Sequence, residues 1–169
     1  MRWLLIDEFE TIRKGEWAKG RRYVTRSEDA VAGVYPAVPL MPSSFLIEMM
    51  AQVAGVLVGA TVDFKKEVVL AKVTDATFFR PVFAPAALEI EGRLLNLNDS
   101  AACCEGRVCD ATGPLAKGVV FFGLFERLDP SLERSGVFSE DFMESYGIER
   151  AIESAESRSR DPETQETQV

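Results

Sequence analysis

Apolar residues in this chain follow a strand-like pattern on both sides of one long helical stretch. Residues 3–13 and 16–26 flank the turn at Lys14-Gly15 and are rich in aliphatic, β-branched and aromatic residues, which predicts a β-hairpin. Apolar and charged residues alternate again in the second half of the chain, a pattern typical of an antiparallel sheet with one solvated face. The strands predicted there are 68–73, 77–79, 87–97, 101–111 and 115–127.

The helical stretch runs from about residue 42 to about residue 61 and is apolar on almost every side. Its length would suffice to span a membrane. Two polar residues interrupt it and amphipathic strands follow, so the pattern predicts a buried core helix and no membrane span. At 3.6 residues per turn, Glu48, Gln52, Gly55 and Gly59 share one stripe. This stripe carries polar side chains near the start of the helix and, at its two glycines, no side chains farther along.

The segment before the helix has a different composition. Residues 27–42 contain one glycine and three prolines, which predicts an irregular loop without a long helix or a paired strand. Pro42 suits the first turn of the helix because its φ angle is fixed, and Ser43 and Ser44 suit the cap.

A hairpin, one long helix and an antiparallel meander predict an α+β domain over residues 1–128, whose sheet must curl around the helix to bury it. Residues 129–169 form an acidic tail. Helical character extends from 139 to 152, and the polar composition of 153–169 predicts disorder.

Net charge gives little indication of a partner. The chain has 27 acidic and 19 basic residues. Of these, 11 acidic and 4 basic residues lie from Asp129 onward, so the first 128 residues hold 16 acidic and 15 basic residues and are nearly neutral. Residues 13–26 hold six basic residues against one acidic residue, and no aromatic ladder accompanies them, so nucleic acid is not the expected partner. They are interpreted as a solvated strand face, with docking of an acidic carrier protein or a pantetheine phosphate as the alternative.

Three cysteines and the absence of histidine limit the chemistry. Cys103, Cys104 and Cys109 lie in one predicted strand without cysteines elsewhere, and no metal-ligand spacing accompanies them. The four apolar residues before Asp7 are too few for a secretory signal. We therefore expect a cytoplasmic protein with reduced cysteines and no metal.

One segment carries a family signature. Residues 33–52 read GVYPAVPLMPSSFLIEMMAQ, which resembles, without a gap, the pattern G-H-F-P-G-x-P-x-M-P-G-x-x-x-x-E-x-M-A-Q of the bacterial 3-hydroxyacyl-acyl-carrier-protein dehydratases. Residues 70–73 and 78–82 resemble the next strand of that family and its R-R-P-V turn. The likeness covers about residues 3–125. It implies a hotdog fold, in which an antiparallel sheet wraps around one long central helix.

The resemblance also implies an assembly and a substrate. The family forms a dimer or a trimer of dimers and binds an acyl chain on acyl carrier protein or coenzyme A at the dimer interface, without a cofactor. The family places a histidine at position 34, Glu48 as its carboxylate partner from the other subunit, and the oxyanion site at the backbone amides near 42–44. The substrate-binding positions that it implies are Gly33, Pro42, Ser43, Ser44, Gln52, Phe78 and Arg80.

The signature departs from the family at its catalytic position. Val34 stands where the family has histidine, and it cannot transfer a proton. Tyr35 beside it is a weak replacement, because a phenol with a pKa of about 10 is ionised in only about one molecule in a thousand at neutral pH. Ala37 and Ser43 replace two glycines of the pattern. We therefore expect dehydratase activity to be impaired or absent.

Three roles remain open for Glu48. It is a hydrogen-bonded carboxylate without catalytic function in an acyl-binding protein, or the single carboxylate of a thioesterase, or the remaining half of an atypical dehydratase site. The first role suits a homodimer or a hetero-oligomer with a histidine-bearing relative. An interaction module that uses only the acidic tail is a further alternative.

Overall fold

The computed structural model of the protein describes residues 4–32, 38–126 and 138–160. Within these ranges the chain forms strands and helices that are numbered here in chain order. They are β1 Glu8–Arg13, β2 Trp17–Val24, α1 Asp29–Ala32, β3 Leu40–Met41, α2 Ser43–Thr61, β4 Glu67–Phe78, β5 Val82–Phe83, β6 Ala86–Leu97, β7 Ala101–Asp110, β8 Gly113–Phe125, α3 Glu140–Ser145 and α4 Ile148–Arg160.

One antiparallel sheet wraps around α2. Its strand order is β1-β2-β6-β7-β8-β4, and α2 contacts every one of these strands. Although α2 has the length and hydropathy of a membrane span, 67% of its apolar window is buried inside the protein, as in a core helix. The predicted α+β arrangement, with the sheet wrapped around one long central helix, is confirmed.

A row of glycines lets the sheet approach α2 closely. Gly92, Gly106 and Gly118 are paired side by side across β6, β7 and β8. A Cβ atom at Gly106 would lie 2.6 Å from Cβ of Met50, and one at Gly92 would lie 3.1 Å from Cα of Ala54. Larger residues would push the helix off the sheet.

The start of α2 differs from the sequence prediction. Pro42 occupies the N-cap position, and no side chain accepts a capping hydrogen bond there. Ser43 and Ser44 are exposed residues of the first turn, so their predicted capping role is wrong. The loop before α2 also contains a paired strand, because β3 pairs with β5. Pairing is possible because neither of the two residues of β3 is a proline, so both keep their amide hydrogens.

The two short strands predicted at 68–73 and 77–79 form the single strand β4. Its pairing with β8 shifts register between Leu70 and Lys72 and again between Thr74 and Thr77. Asp75, within the second shift, has a φ of 54°. These irregularities interrupt the alternation of side chains, which explains why the sequence pattern breaks there while the strand continues.

The predicted end of the ordered tail is wrong. Helix α4 runs to Arg160, so residues 153–160 are helical and the disorder predicted for them is not observed. The predicted boundary between residues 128 and 129, and residues 161–169, lie outside the described residues.

Helix α4 is docked on β1. Ile148, Ala151 and Ala155 are buried along one side of the helix, and the hydroxyl of Ser154 donates a hydrogen bond to the carbonyl oxygen of Glu10 at 3.3 Å. One apolar stripe at helical spacing therefore suffices to hold an otherwise charged segment against the sheet.

We expect truncation after Ile152 to lower the free energy of unfolding by about 1–3 kcal/mol, because it removes the buried Ala155 and the hydrogen bond from Ser154. Truncation after Arg160 is the matched control and should change it by less than about 0.5 kcal/mol. Urea denaturation of both proteins measures the difference. Equal stability of the two truncated proteins would contradict the docking of α4.

Candidate functional site

A cavity of about 330 Å³ lies along one face of α2. The helix contributes Glu48, Ala51, Gln52, Gly55 and Val56 to its wall. Glu48, Gln52 and Gly55 belong to the stripe predicted from the sequence. The spacing therefore identified the face of the helix that borders the cavity.

The remaining walls come from four parts of the chain. The segment before β1 and β1 itself contribute Leu4 and Phe9, the start of β4 contributes residues 68–70, and β8 contributes Phe122. The C-terminal region contributes two phenylalanines. Among the described residues around the cavity, those of α2 alone carry polar side chains. The cavity is thus an apolar space with one polar wall.

The carboxylate of Glu48 is held by a chain of hydrogen bonds. The amide nitrogen Nε2 of Gln52 donates to Oε1 of Glu48 at 2.9 Å. The backbone N–H of Leu5 donates to Oε1 of Gln52, also at 2.9 Å. Both side chains are half-buried. Because Leu5 fixes which end of the Gln52 amide faces Glu48, a hydrogen-bond donor is directed at the carboxylate.

The two glycines of the stripe face aromatic rings. A Cβ atom at Gly55 would lie 3.6 Å from Cε1 of Phe122, an ordinary contact. A Cβ atom at Gly59 would lie 2.8 Å from Cε2 of Phe138, which is too close. The two glycines therefore leave room for rings of β8 and of the C-terminal region.

Phe138 and Phe142 line the cavity but were not predicted from the sequence. Phe142 lies in the first turn of α3, whereas Phe138 precedes the N-cap residue Ser139, so helical periodicity does not relate the two. Their place at the cavity depends on how the C-terminal region packs, which no local pattern encodes.

The residues at the start of α2 lie one turn or more before Glu48. Pro42 is half-buried, Ser43 and Ser44 are exposed, and none of the three lines the cavity. The first amides of a helix lack intrahelical acceptors and carry the positive end of the helix dipole. Their role as an oxyanion site stays a prediction.

Gly33, Val34 and Tyr35 lie outside the described residues. Their predicted roles stay predictions.

Phe78 and Arg80 do not line the cavity of their own chain. Phe78 is exposed at the end of β4. The guanidinium of Arg80 holds the β7–β8 turn: Nη2 donates to Oδ1 of Asp110 at 2.9 Å and to the carbonyl oxygen of Gly113 at 3.0 Å. Hydrogen bonds from Thr112 and then from Arg80 lower the pKa of Asp110 to about 2. Arg80 therefore has a structural task in this turn, and its predicted contact with substrate stays a prediction.

The basic run at 13–26 is largely neutralised by neighbouring carboxylates. Lys14 pairs with Asp63, Lys19 with Glu89, Arg21 with Glu10, and Arg22 with Asp7 and Glu28. Most of these pairs join neighbouring strands or turns. The structure thus favours the interpretation of a solvated strand face over that of a docking patch.

The cysteines are unpaired. Burial raises the pKa of Cys104 to about 12, and burial also raises the pKa of Cys103 and of Cys109. Thiols with raised pKa values are poor nucleophiles at neutral pH. The described residues contain no cluster of three or more side chains that could hold a metal ion.

Comparison with known proteins identifies similar sequences. The model of the FabA-like domain family matches residues 1–105. The 3-hydroxyacyl-acyl-carrier-protein dehydratase FabZ of Clostridium acetobutylicum is 34% identical over 104 residues, which are 61% of this chain and 74% of that protein. FabZ of Natranaerobius thermophilus is 34% identical over 125 residues, 73% of this chain and 88% of that protein.

Solved structures share the fold. The dehydratase heterocomplex ApeI:P from Xenorhabdus doucetiae aligns with a TM-score of 0.62 at 19% identity, over 73% of this chain and 84% of that one. The protein smu.793 from Streptococcus mutans, bound to acetyl CoA, aligns with a TM-score of 0.60 at 13% identity, over 76% and 96%. Thioesterase HI1161 from Haemophilus influenzae aligns with a TM-score of 0.58 at 11% identity, over 72% of this chain and 80% of that one. The predicted hotdog fold is confirmed.

We expect Asp110→Asn to lower the melting temperature at pH 7 by up to about 3 °C, the scale of an exposed ion pair in a chain of this size. Because the folded pKa of Asp110 is depressed to about 2, its contribution is present above pH 4 and is lost as the pH falls toward 2. The difference between variant and parent should close over that window in a series of thermal scans.

Asp99→Asn in the β6–β7 turn is the matched control, since its side chain forms no ion pair or hydrogen bond within the described ranges. A difference between parent and Asp110→Asn that persisted unchanged at pH 2 would show that the carboxylate does not stabilise the turn.

Proposed function

The chain belongs to the FabA-like domain family, and on that premise we propose that it binds acyl chains carried as thioesters in the cavity beside Glu48. The observation that carries the proposal is the cavity itself, an apolar space of about 330 Å³ with one oriented carboxylate in its wall. Ligand sites of small molecules have this character, mostly apolar walls with few placed polar groups. The carrier is acyl carrier protein or coenzyme A.

An acyl chain fits the direction of the cavity. Its helical wall extends from Glu48 to Val56, eight residues or about 12 Å along α2. The thioester then lies near the polar end of this wall, and the hydrocarbon lies against Ala51, Gly55 and the apolar walls opposite. Burial of the hydrocarbon would supply most of the binding free energy.

We infer that dehydration is impaired. Removing water from a 3-hydroxyacyl thioester needs a base for the α-proton, an acid for the leaving hydroxyl, and donors for the charge on the thioester oxygen. The chain contains no histidine, and Val34 stands at the position of the family's acid–base group. Loss of one such group typically costs about 10²–10⁴ in rate.

A second candidate function is thioester hydrolysis. Glu48 is half-buried and therefore reachable by water, and Gln52 holds its carboxylate in place. As a base, Glu48 would take one proton from a water molecule whose oxygen attacks the thioester carbonyl. The C–S bond then breaks, the thiolate leaves and takes up that proton, and the products are a carboxylic acid and a thiol. This chemistry requires no histidine.

We propose that the protein assembles as a homodimer through the edge of β4. In the described sheet β4 is a terminal strand paired on one side with β8, and Val69, Leu70 and Phe78 are exposed along it. An unpaired apolar edge favours pairing with a second strand. Helix α2 is already largely buried within one chain and leaves this edge as the exposed apolar surface.

The same edge could accept a histidine-bearing relative instead of a second copy, and a trimer of dimers would need further contacts. Unpaired cysteines fit the reducing cytoplasm, where we place the protein.

We expect the parent protein to hydrate a 2-enoyl thioester slowly or not at all, and Val34→His to raise that rate at least about tenfold, a floor below the usual contribution of an acid–base group. The gain requires that residue 34 and Glu48 share one site. Glu48→Gln on the Val34→His background should remove it. The rate is measured from the loss of enoyl absorbance with crotonyl pantetheine as substrate.

Val38→His, in the same loop, is the matched control and should leave the rate unchanged. Hydration by the parent at an ordinary enzyme rate would contradict the proposal of impaired dehydration. Thiol release from acyl pantetheine by the parent, abolished in Glu48→Gln, would select the thioesterase function instead.

We expect the protein to have twice the 18.7 kDa mass of one chain in light scattering at micromolar concentration. Ala71→Asp, at an exposed position of β4, should weaken the dimer at least tenfold, because pairing of this edge would bury a carboxylate without a partner. Ala87→Asp on β6, also exposed and away from the β4 edge, is the control. A monomeric parent would contradict the assembly.

A further inference from the structure

We propose that the C-terminal region sets the length of the acyl chain that the cavity accepts, with Phe138 and Phe142 as the wall at its far end. This inference rests on the proposed function, since it concerns the same cavity. Both phenylalanines line that cavity. They lie outside residues 1–105, the part of the chain that matches the family model.

The two rings belong to a continuous aromatic series. The ring of Phe138 meets that of Phe64 edge-on with centroids 5.3 Å apart, and it lies 5.9 Å from the ring of Phe142. Phe142 in turn lies 5.1 Å from Tyr146. Phe64 follows the end of α2, so the series joins the end of the core helix to α3. Such ring pairs stabilise one another beyond the burial of their surface.

The backbone that carries this wall is anchored on both sides of Phe142. The hydroxyl of Ser139 caps α3 by accepting a hydrogen bond from the backbone N–H of Phe142 at 3.4 Å. Beyond α3, Ile148 and Ala151 are buried where α4 packs on β1. The wall is therefore part of a docked segment.

The position of Phe138 relative to Glu48 indicates which end of the cavity it closes. Cε2 of Phe138 would lie 2.8 Å from a Cβ atom at Gly59, so the ring fills the space of the absent side chain. Gly59 follows Glu48 by eleven residues, about 16 Å along the helix. A chain whose thioester lies near Glu48 passes Gly55 and then meets this ring.

The consequence is a limit on chain length. Each additional methylene that the cavity can bury should raise affinity about fourfold, the equivalent of about 0.8 kcal/mol. Affinity should stop rising at the length where the hydrocarbon reaches Phe138 and Phe142, and it should fall beyond that length.

The test uses the full chain and hydrolysis-resistant alkyl pantetheine thioethers from butyl to hexadecyl, with dissociation constants from calorimetry. Phe138→Ala and Phe142→Ala should move the length of tightest binding to longer chains and raise affinity at least tenfold for the first chain beyond the parent's limit. Phe125→Ala is the matched control, since Phe125 is exposed at the end of β8 and does not line the cavity.

Thermal unfolding of each variant verifies folding, and Phe138→Leu replaces the alanine variants if they unfold. Binding by the parent with a length limit that none of the cavity variants moves would overturn this inference and leave the proposed function standing. A limit that Phe125→Ala moves equally would also overturn it. Absence of binding at every chain length would overturn the proposed function itself.

Discussion

The close approach of the sheet to α2 is the constraint on which the rest of the structure depends. An apolar helix must be enclosed on almost all sides, and a sheet encloses it only by curving and coming near its backbone. Gly92 and Gly106 permit this, because side chains there would collide with Ala54 and Met50. Beside β8 and the start of β4 the fit is looser, and the stripe of Glu48, Gln52 and Gly55 borders a cavity there. The same curved sheet therefore packs closely against α2 at Gly92 and Gly106 and leaves a cavity along another face of the helix.

Local patterns predicted the parts of the fold that local physics determines. The bounds of α2 agree with the prediction to within one residue, because a helix that is apolar all round is evident from its own sequence. Strand β4 was divided in two, since its register shifts depend on how β8 pairs with it. Helix α4 was cut short because charged residues dominate its composition, while the buried Ala155 is one small residue among them. A docked stripe of small residues gives a weak signal in composition.

The same distinction applies to the site. Glu48, Gln52 and Gly55 were placed together from spacing alone, since residues four or three apart share a helical face. That Leu5 orients Gln52, and that Phe142 lines the cavity, depend on contacts between distant parts of the chain. No periodicity within one segment encodes such contacts. The family resemblance supplied the expected chemistry, but it does not extend to the C-terminal wall.

The hydrogen bonds around Glu48 explain how a carboxylate persists beside an apolar cavity. A buried charge is costly unless it is hydrogen-bonded. Gln52 supplies a donor to Glu48, and the backbone of Leu5 keeps the Gln52 amide in the orientation that does so. The pair thus ties the segment before β1 to α2, a structural task that needs no proton transfer. A glutamine in place of Glu48 could accept the same hydrogen bond but could not act as a base. Structural support and action as a base at this position therefore depend on different properties of one side chain.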